Sequence, residues 1–398
     1  MRKLRFGMVG GGPGAFIGAV HRRAAMLDGL AELVAGAFSS DPDKSRVQGQ
    51  ALALDPARVY ASYEEMADRE AALPEGERID FVSITTPNHV HHRIAKTFIE
   101  RGFHVVCDKP MTTTLEDAED LSRLVDSHGV VFALTHNYTG YPLVKQAKAL
   151  VAQGVLGEIR KVVVEYSQGW LATSLESTGN KQAAWRTDPA QAGAGAIGDI
   201  GSHAENLARY IASLEIERLY ADVSTFVPGR RLEDDANMLL HFRGGAKGIL
   251  FCSQISLGEE NRLAIRVYGT EASLEWRQEE PNFLVVRHAD RPVEVYKPGH
   301  GFLSPAAVHA TRLPSGHPEG FIEAFANVYS NAIRTIAARI AQAAPDPLDT
   351  DFPTVQDGAV GVSFILNAVR SGQQRDWVDA AYAPPGAITA NATIEQRG

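Results

Sequence analysis

Cysteine is almost missing from this chain: only Cys107 and Cys252 occur in 398 residues. Neither sits in a C-x-x-C pair, which argues against a disulfide framework and against a cysteine-rich zinc site. Two packed thiols suit a reducing compartment. A basic excess is missing too. Lys and Arg number 39 against 48 Asp and Glu, for a net charge of −9 and a pI near 5.8. General nucleic-acid binding therefore lacks its electrostatic footprint, although a local basic pocket for an anionic substrate stays compatible. No apolar run approaches the ~18 residues of a membrane span. The opening MRKLRF has the charge of a secretion signal, but the GMVGGGPGAF that follows is too glycine-rich for an apolar signal core. The expectation is a cytoplasmic protein without a membrane or nucleic-acid partner. Repeats and low-complexity segments are also lacking.

What is present is ordinary globular composition, 44% apolar and 22% charged, in a chain long enough for two domains. Apolar runs at 4–9, 33–38, 79–85, 104–107 and 130–135 alternate with helical patterns to about Leu30, over 89–101 and over 115–128. Thr114 is placed to cap the last of these, with Asp117 in the capping-box position. Strands alternating with helices predict a doubly wound parallel sheet. After about residue 158 the pattern changes. Strands are expected at 161–168, 218–226, 236–242, 247–255 and 262–268, with Gly244-Gly245 as a hairpin turn. Leu219, Ala221 and Val223 alternate with Asp222 and Ser224, the mark of a sheet with one wet face. Late helices are expected at 319–342 and 354–371. The fold class is thus α/β: a doubly wound parallel domain over 1–136, an α+β domain with a large, mostly antiparallel open sheet over 137–383, and a disordered tail over 384–398.

The first strand runs into Gly10-Gly11-Gly12-Pro13-Gly14-Ala15, which fits G-x-G-x-x-[GA] between a strand and a helix. Glycines there permit a tight turn and close approach of a pyrophosphate to a helix N-terminus. The acidic residue that usually follows ~20 residues on, to bind a ribose, is absent. Ser39 stands in its place, followed by Ser40 and Asp41, with Lys44 and Arg46 nearby. A serine beside a cation can accept a 2′-phosphate, and Asp41 can instead serve a ribose. NAD is the expected cofactor, with NADP open.

Two further motifs carry chemistry. Asp108-Lys109-Pro110 ends an apolar strand, and Asp199-Ile200-Gly201-Ser202-His203 follows a glycine-rich stretch. A histidine suits removal of a hydroxyl proton as hydride leaves carbon, and a lysine ammonium favours a developing alkoxide. Asp199 is placed to orient the substrate or His203. Tryptophan and arginine at Trp185-Arg186 can stack on a sugar face and bind hydroxyls or an anion, with Lys181 adding cationic character. His136-Asn137-Tyr138 follows the last parallel strand, so Asn137 or Tyr138 can reach a cleft, whereas His92 and His136 read as structural. His317-Pro318-Glu319 is a late loop that can close over substrate, with Glu319 equally explained as a first-turn charge. His89, His91 and His92 lack metal-ligand spacing, so no metal is expected.

Together, GGGPGAFIGAVHR at 10–22, TTPNHVHH at 85–92, DKP at 108–110, WRTDP at 185–189 and GAGAIGDIGSH at 193–203 resemble the glucose–fructose oxidoreductase / inositol dehydrogenase (Gfo/Idh/MocA) family over nearly the whole chain. Two departures are a glycine loop about three residues longer, if Gly18 and His21 match its end, and Asp108 in place of the usual glutamate before Lys109-Pro110. The resemblance implies a Rossmann domain followed by an open-sheet domain, with the site between them and catalytic roles for Lys109, Asp199 and His203. By the same resemblance, the cofactor side comprises Gly10, Gly12, Pro13, Gly14, Ala15, Phe16 and Ile17, with Ser39, Ser40 and Lys44. It continues through Thr86, Pro87, Asn88 and His91, Asp108 to Pro110, Asn137, Trp185 and Arg186. The substrate side comprises Lys109, Tyr138, Lys181, Trp185, Arg186, Asp199, His203 and His317. The implied activity is NAD(P)-dependent oxidation of a secondary hydroxyl on a sugar, sugar derivative or cyclitol, in a homo-oligomer paired through the open sheet. The alternative is an NAD-dependent glycosidase acting by transient C3 oxidation, elimination, hydration and re-reduction, for which Lys181 and Arg186 would suit an anionic glycoside.

Overall fold

A computed structural model describes residues 2–385; the predicted tail from 386 onward lies outside the described residues. Two sheets organise the chain. The first has five parallel strands, β1 (Leu4–Gly10), β2 (Ala31–Ala37), β3 (Phe81–Thr85), β4 (His104–Cys107) and β5 (Phe132–Leu134), in the order β2-β1-β3-β4-β5. Strand order reverses between β1 and β3, the place where an open α/β sheet forms a ligand crevice at its carboxyl edge. Every residue of β3, β4 and β5 is buried, as expected of strands covered on both faces.

The second sheet has nine strands: β6 (Ile159–Ser167), β7 (Ile216–Ser224), β8 (Asp235–Phe242), β9 (Lys247–Ser253), β10 (Arg262–Gly269), β11 (Ala272–Arg277), β12 (Leu284–His288), β13 (Glu294–Tyr296) and β14 (Val378–Asp379). Their order is β13-β12-β11-β10-β6-β9-β8-β7-β14, and only the β6–β9 pair is parallel. The doubly wound sheet and the large, mostly antiparallel sheet are therefore both present. Gly244 and Gly245, at φ +88° and +100°, turn β8 into β9. The inner face carries Leu219, Met238, Leu240, Leu250, Ile265 and Trp276 in one core with helices Pro142–Ala152 and Ser202–Ala212. The other face is open.

Several elements form where the sequence analysis assigns none. Helices Pro42–Ala51 and Tyr63–Ala71 begin at Asp41 and Ser62, whose side chains accept backbone N–H bonds. Strands β11 to β13 extend the second sheet beyond residue 268. The predicted helix over 89–101 opens as a 3-10 turn at Asn88–Val90 before becoming α-helical at His91–Ile99. Thr114 caps Leu115–His128 as expected, but the capping box is one-sided. The Asp117 carboxylate lies instead 3.4 Å from His92.

The late helix Phe321–Ile340 comes from the second half of the chain yet packs on the first sheet. Phe325, Tyr329, Ile333 and Ile336 share a core with Phe6, Met8, Phe81 and Val106. Among the described residues no helix is long and apolar enough to cross a membrane.

Candidate active site

The carboxyl ends of β1, β3, β4 and β5 supply one wall. Gly10, Gly11 and Gly14 have φ of +89°, +71° and +78°, which only glycine adopts without strain. A Cβ on Gly10 would lie 2.7 Å from the Thr85 oxygen, and one on Gly12 2.8 Å from the Phe38 oxygen. A Cβ on Gly18 would lie 2.3 Å from Gly11 Cα, so Gly18 is what lets helix Phe16–Met26 cross β1 closely. Ala15 is only the helix N-cap. The packing role of the third glycine thus falls three positions later, in agreement with the longer loop. The helix start has no side-chain cap and no acid in its first turn, leaving N–H groups open to a phosphate.

Ser39 Oγ accepts the Asp41 N–H at 3.1 Å. The Asp41 carboxylate accepts from Asp43 N and Lys44 N and pairs with Lys44 Nζ at 3.1 Å, while Arg46 pairs with Asp43 at 2.7 Å. Both cations near the ribose position are therefore opposed by carboxylates, which lowers the attraction for a 2′-phosphate.

Three cofactor-side expectations take a different form. His91 is buried and both ring nitrogens meet backbone oxygens, Pro110 O at 2.9 Å and Thr86 O at 2.8 Å. It shapes the β3 and β4 tips and has no nitrogen left for a cofactor. Asp108 accepts from Lys109 N and Thr135 Oγ1 and lies 3.7 Å from His21 Nε2. Burial opposes its ionisation, but His21 and Lys109 hold the carboxyl well below its usual range. Asn88 Nδ2 donates to Ala192 O, tying the β3 tip to the loop that leads toward Asp199 and His203. Two buried polar atoms nearby have no protein partner, Thr86 Oγ1 and Asn137 Nδ2. The uncapped helix, the glycine cradle and these two atoms fit a bound dinucleotide.

The second wall is a π-helical turn, Ile197–Gly201, leading into helix Ser202–Ala212. Lys109 Nζ donates to Asp199 O at 2.5 Å and to Asp199 Oδ1 at 3.0 Å. Gln254 Nε2 donates to Oδ2 at 2.8 Å, and Arg186 Nε lies 3.3 Å from the same oxygen. Burial opposes ionisation of Asp199, but Lys109, Arg186 and the Gln254 bond outweigh it and hold the carboxyl down to about 2. With both oxygens engaged, Asp199 does not bond His203. Asp199 lies in the π turn and His203 in the first turn of the helix that follows it.

His203 is buried, and its ring lies edge-on to Tyr138 at 4.8 Å and to His136 at 5.2 Å between centroids. Burial, then Lys109, then His136 push its pKa well below the ordinary histidine value. It stands neutral at physiological pH, as a proton acceptor must.

Arg186 lies over the Trp185 ring at 4.2 Å and approaches Trp170 at 6.0 Å, with a bond to Gln182 at 2.6 Å. Tyr138 OH bonds Tyr166 OH at 2.5 Å, and Tyr166 in turn donates to Asn261 at 2.7 Å. Gln168 also donates to Asn261, at 2.8 Å. Gln254, Tyr166, Gln168, Asn261 and Trp170 escape the sequence analysis because they arrive from strand ends far apart in sequence. The pairing of β6 with β9 and β10 gathers these strand ends, and Gln254 reaches the Asp199 carboxylate that Lys109 holds.

Lys181 is exposed at the first position of helix Lys181–Arg186. His317 is also exposed, its ring and its backbone N–H both bonding Pro314 O. Glu319 is no first-turn charge. It precedes the late helix and accepts the backbone N–H groups of Arg312 and Leu313. Of the crowded histidines, His89 is exposed and His92 faces Asp117 and Asp120.

Residues 4–136 match the family model for an oxidoreductase family with an NAD-binding Rossmann fold, and residues 144–275 match that for a GFO/IDH/MocA C-terminal domain. An uncharacterized oxidoreductase of Bacillus subtilis (strain 168), YfiI, is 33% identical over 95% of this chain and 97% of its own. A crystal structure of an oxidoreductase from Sinorhizobium meliloti shares 46% identity with a TM-score of 0.86, covering 95% of this chain and 100% of that one. An inositol dehydrogenase homolog from Azotobacter vinelandii, complexed with NAD+, shares 38% identity with a TM-score of 0.90, covering 95% of this chain and 97% of that one. The same homolog has been solved with NADH and myo-inositol.

Proposed function

The chain belongs to the GFO/IDH/MocA oxidoreductase family and is an NAD-binding enzyme, and from that premise we propose that it oxidises a secondary hydroxyl of an uncharged polyol, a cyclitol or a sugar. The observation that carries this reading is the Lys109–Asp199 pair beside a neutral, buried His203. NAD, when bound on the glycine loop, supplies the hydride acceptor. His203 Nε2 takes the hydroxyl proton. Lys109, held by Asp199, directs its ammonium at the oxygen as negative charge develops. Arg186, Gln254 and the Tyr166–Asn261–Gln168 array offer hydrogen-bond donors and acceptors spaced for several hydroxyls.

An uncharged substrate is favoured because Arg186 already faces the Asp199 carboxylate. NAD is favoured over NADP because Lys44 and Arg46 are each opposed by an acid. The inositol dehydrogenase homolog solved with NADH and myo-inositol makes cyclitols the first class to try.

The open sheet face supports self-association. Its outward side chains form one register row across eight strands, Tyr220, Leu239, Ile249, Val163, Arg266, Glu275, Val285 and Val295. Most are apolar, with Leu239 49% and Val295 51% exposed. A row of that kind fits a second copy of the chain.

The test is a panel of cyclitols, sugars and glycosides with NAD, read by NADH absorbance and by product analysis. One NADH per carbonyl formed, lost in Lys109→Ala and His203→Ala, is the expected result. Aglycone release without net NADH would replace the dehydrogenase with the redox-assisted glycosidase. Full activity in both variants would remove the assignment.

A further inference from the structure

His136 ends the first sheet and His203 sits on the helix of the second, and their Nδ1 atoms face each other at 3.4 Å with ring planes at 85°. Among the described residues neither imidazole has another side-chain hydrogen-bond partner. A hydrogen bond between two Nδ1 atoms requires one to carry the proton and the other to present its lone pair. For His203 Nε2 to accept a proton it must start bare, so the ring's single proton is on Nδ1. That proton then points at His136 Nδ1, and His136 carries its own proton on Nε2.

We propose that His136 is a positioning residue that holds His203 in the Nδ1–H tautomer and accepts the same hydrogen bond when His203 becomes an imidazolium. The inference rests on the reading of His203 as the proton acceptor. It assigns to His136 the part that a carboxylate takes in Asp-His pairs, with one difference. A neutral acceptor fixes the tautomer and strengthens its bond once the donor is charged, yet adds no negative charge to raise the donor's pKa. The charges around the pair agree with that. Lys109, at the β4 tip, presses both rings toward the neutral form, and Asp108 opposes it at His136. Arg209 and Asp357 face His136 from the two flanking helices, while Tyr138 and Tyr166 cover His203. Burial and then Lys109 press His136 down to about 3, so it stays neutral throughout the working range.

The first measurement uses the wild-type enzyme without substrate. Histidine side-chain nitrogen NMR should show His203 protonated on Nδ1 and His136 on Nε2. The second compares variants. His136→Leu should lower kcat by about 10–100-fold with unchanged NAD affinity, and should leave His203 a mixture of tautomers. His136→Gln, whose Oε1 can accept from Nδ1–H, should recover most of that loss. His136→Asp should move the acid limb of kcat/KM to higher pH, an effect a purely structural residue would not have. A wild-type His203 protonated on Nε2, or a His136→Leu enzyme with unaltered kcat and pH profile, would overturn the inference. A fully active His203→Gln would end the proton-acceptor reading and this inference with it. An inactive His203→Gln beside a fully active His136→Leu would end the positioning role alone.

Discussion

The two sheets meet at one site but are built on opposite terms. The five-stranded sheet is covered on both faces, and its strands β3, β4 and β5 are buried at every residue, Ser83 and Thr85 of Phe81–Thr85 included. The nine-stranded sheet buries one face, so β8 alternates Ala236, Met238 and Leu240 inward with Asn237 and Leu239 outward. In the first sheet the strand interiors are buried, and the residues proposed to act, Gly10, Thr86, Lys109 and His136, stand at the strand tips. The second sheet gives one face to the core, and its proposed site residues stand on a helix laid across it and at the ends of β6 and β9. Side chains from both sheets then neutralise one another around Asp199.

Substitutions at five positions test that contrast. Lys109→Met should have the largest effect, roughly a 10³-fold loss of kcat, because it removes the ammonium from the reacting oxygen. It should also raise the acid limb of kcat/KM. In the wild type that limb should lie below the ordinary histidine value near 6.5, since burial and Lys109 both disfavour the imidazolium. Removing the cation relieves part of that pressure. Phe81→Ala, in the sheet covered on both faces and stacked on Phe6, should cost about 3–5 kcal/mol in denaturant unfolding.

Glu233→Gln probes the loop that enters the catalytic helix. Glu233 accepts the Gly195 and Ile197 N–H groups, and burial raises its pKa to about 7 from 4.5. An acid whose folded pKa is raised contributes stability below its unfolded pKa. That stability falls away as pH rises from about 4.5 to 7. The wild type should lose a few kcal/mol across that window, and the glutamine variant should be flat there by comparison. A parallel decline in both proteins would refute the attribution.

Gly18→Ala should cost about 1–3 kcal/mol and weaken NAD binding by calorimetry, because its Cβ meets Gly11. Leu239→Ala, on the open face, should cost under about 1 kcal/mol in the isolated chain. A Leu239 effect as large as that of Phe81, persisting at high dilution, would mean that the two sheets do not differ as described. Leu239→Lys, followed by ultracentrifugation, should dissociate any oligomer formed through this face.

Much of this was legible in residue order because the signals are local. Glycines mark the phosphate loop, prolines and asparagine mark strand tips, and Gly244-Gly245 marks a hairpin. The helices at Pro42–Ala51 and Tyr63–Ala71 went unassigned in the sequence although Asp41 and Ser62 cap them, because charged, polar and small residues dominate both segments. The site was legible only in part. Lys109, Asp199 and His203 stand in motifs. Gln254, Tyr166 and Asn261 carry no local mark, and strand pairing alone delivers them. His136 read as structural because nothing near it in sequence announces that His203, 67 residues away, will face its ring. His91 and Asp108 stand among the cofactor contacts that the resemblance implies, whereas both His91 ring nitrogens are spent on backbone oxygens and Asp108 Oδ1 is spent on Lys109 N and Thr135.

The most direct test of the account is a single-turnover experiment on Lys109→Met and His203→Gln, with NAD affinity measured in parallel and NADH followed by absorbance after a cyclitol or sugar oxidised by the wild type is added. NAD should bind each variant within about threefold of wild type, since the glycine loop is intact in both and most of the affinity is expected there, while the burst of NADH disappears. A full burst in both variants would contradict the claim that the tips of one sheet and the helix of the other form a single hydride-transfer site.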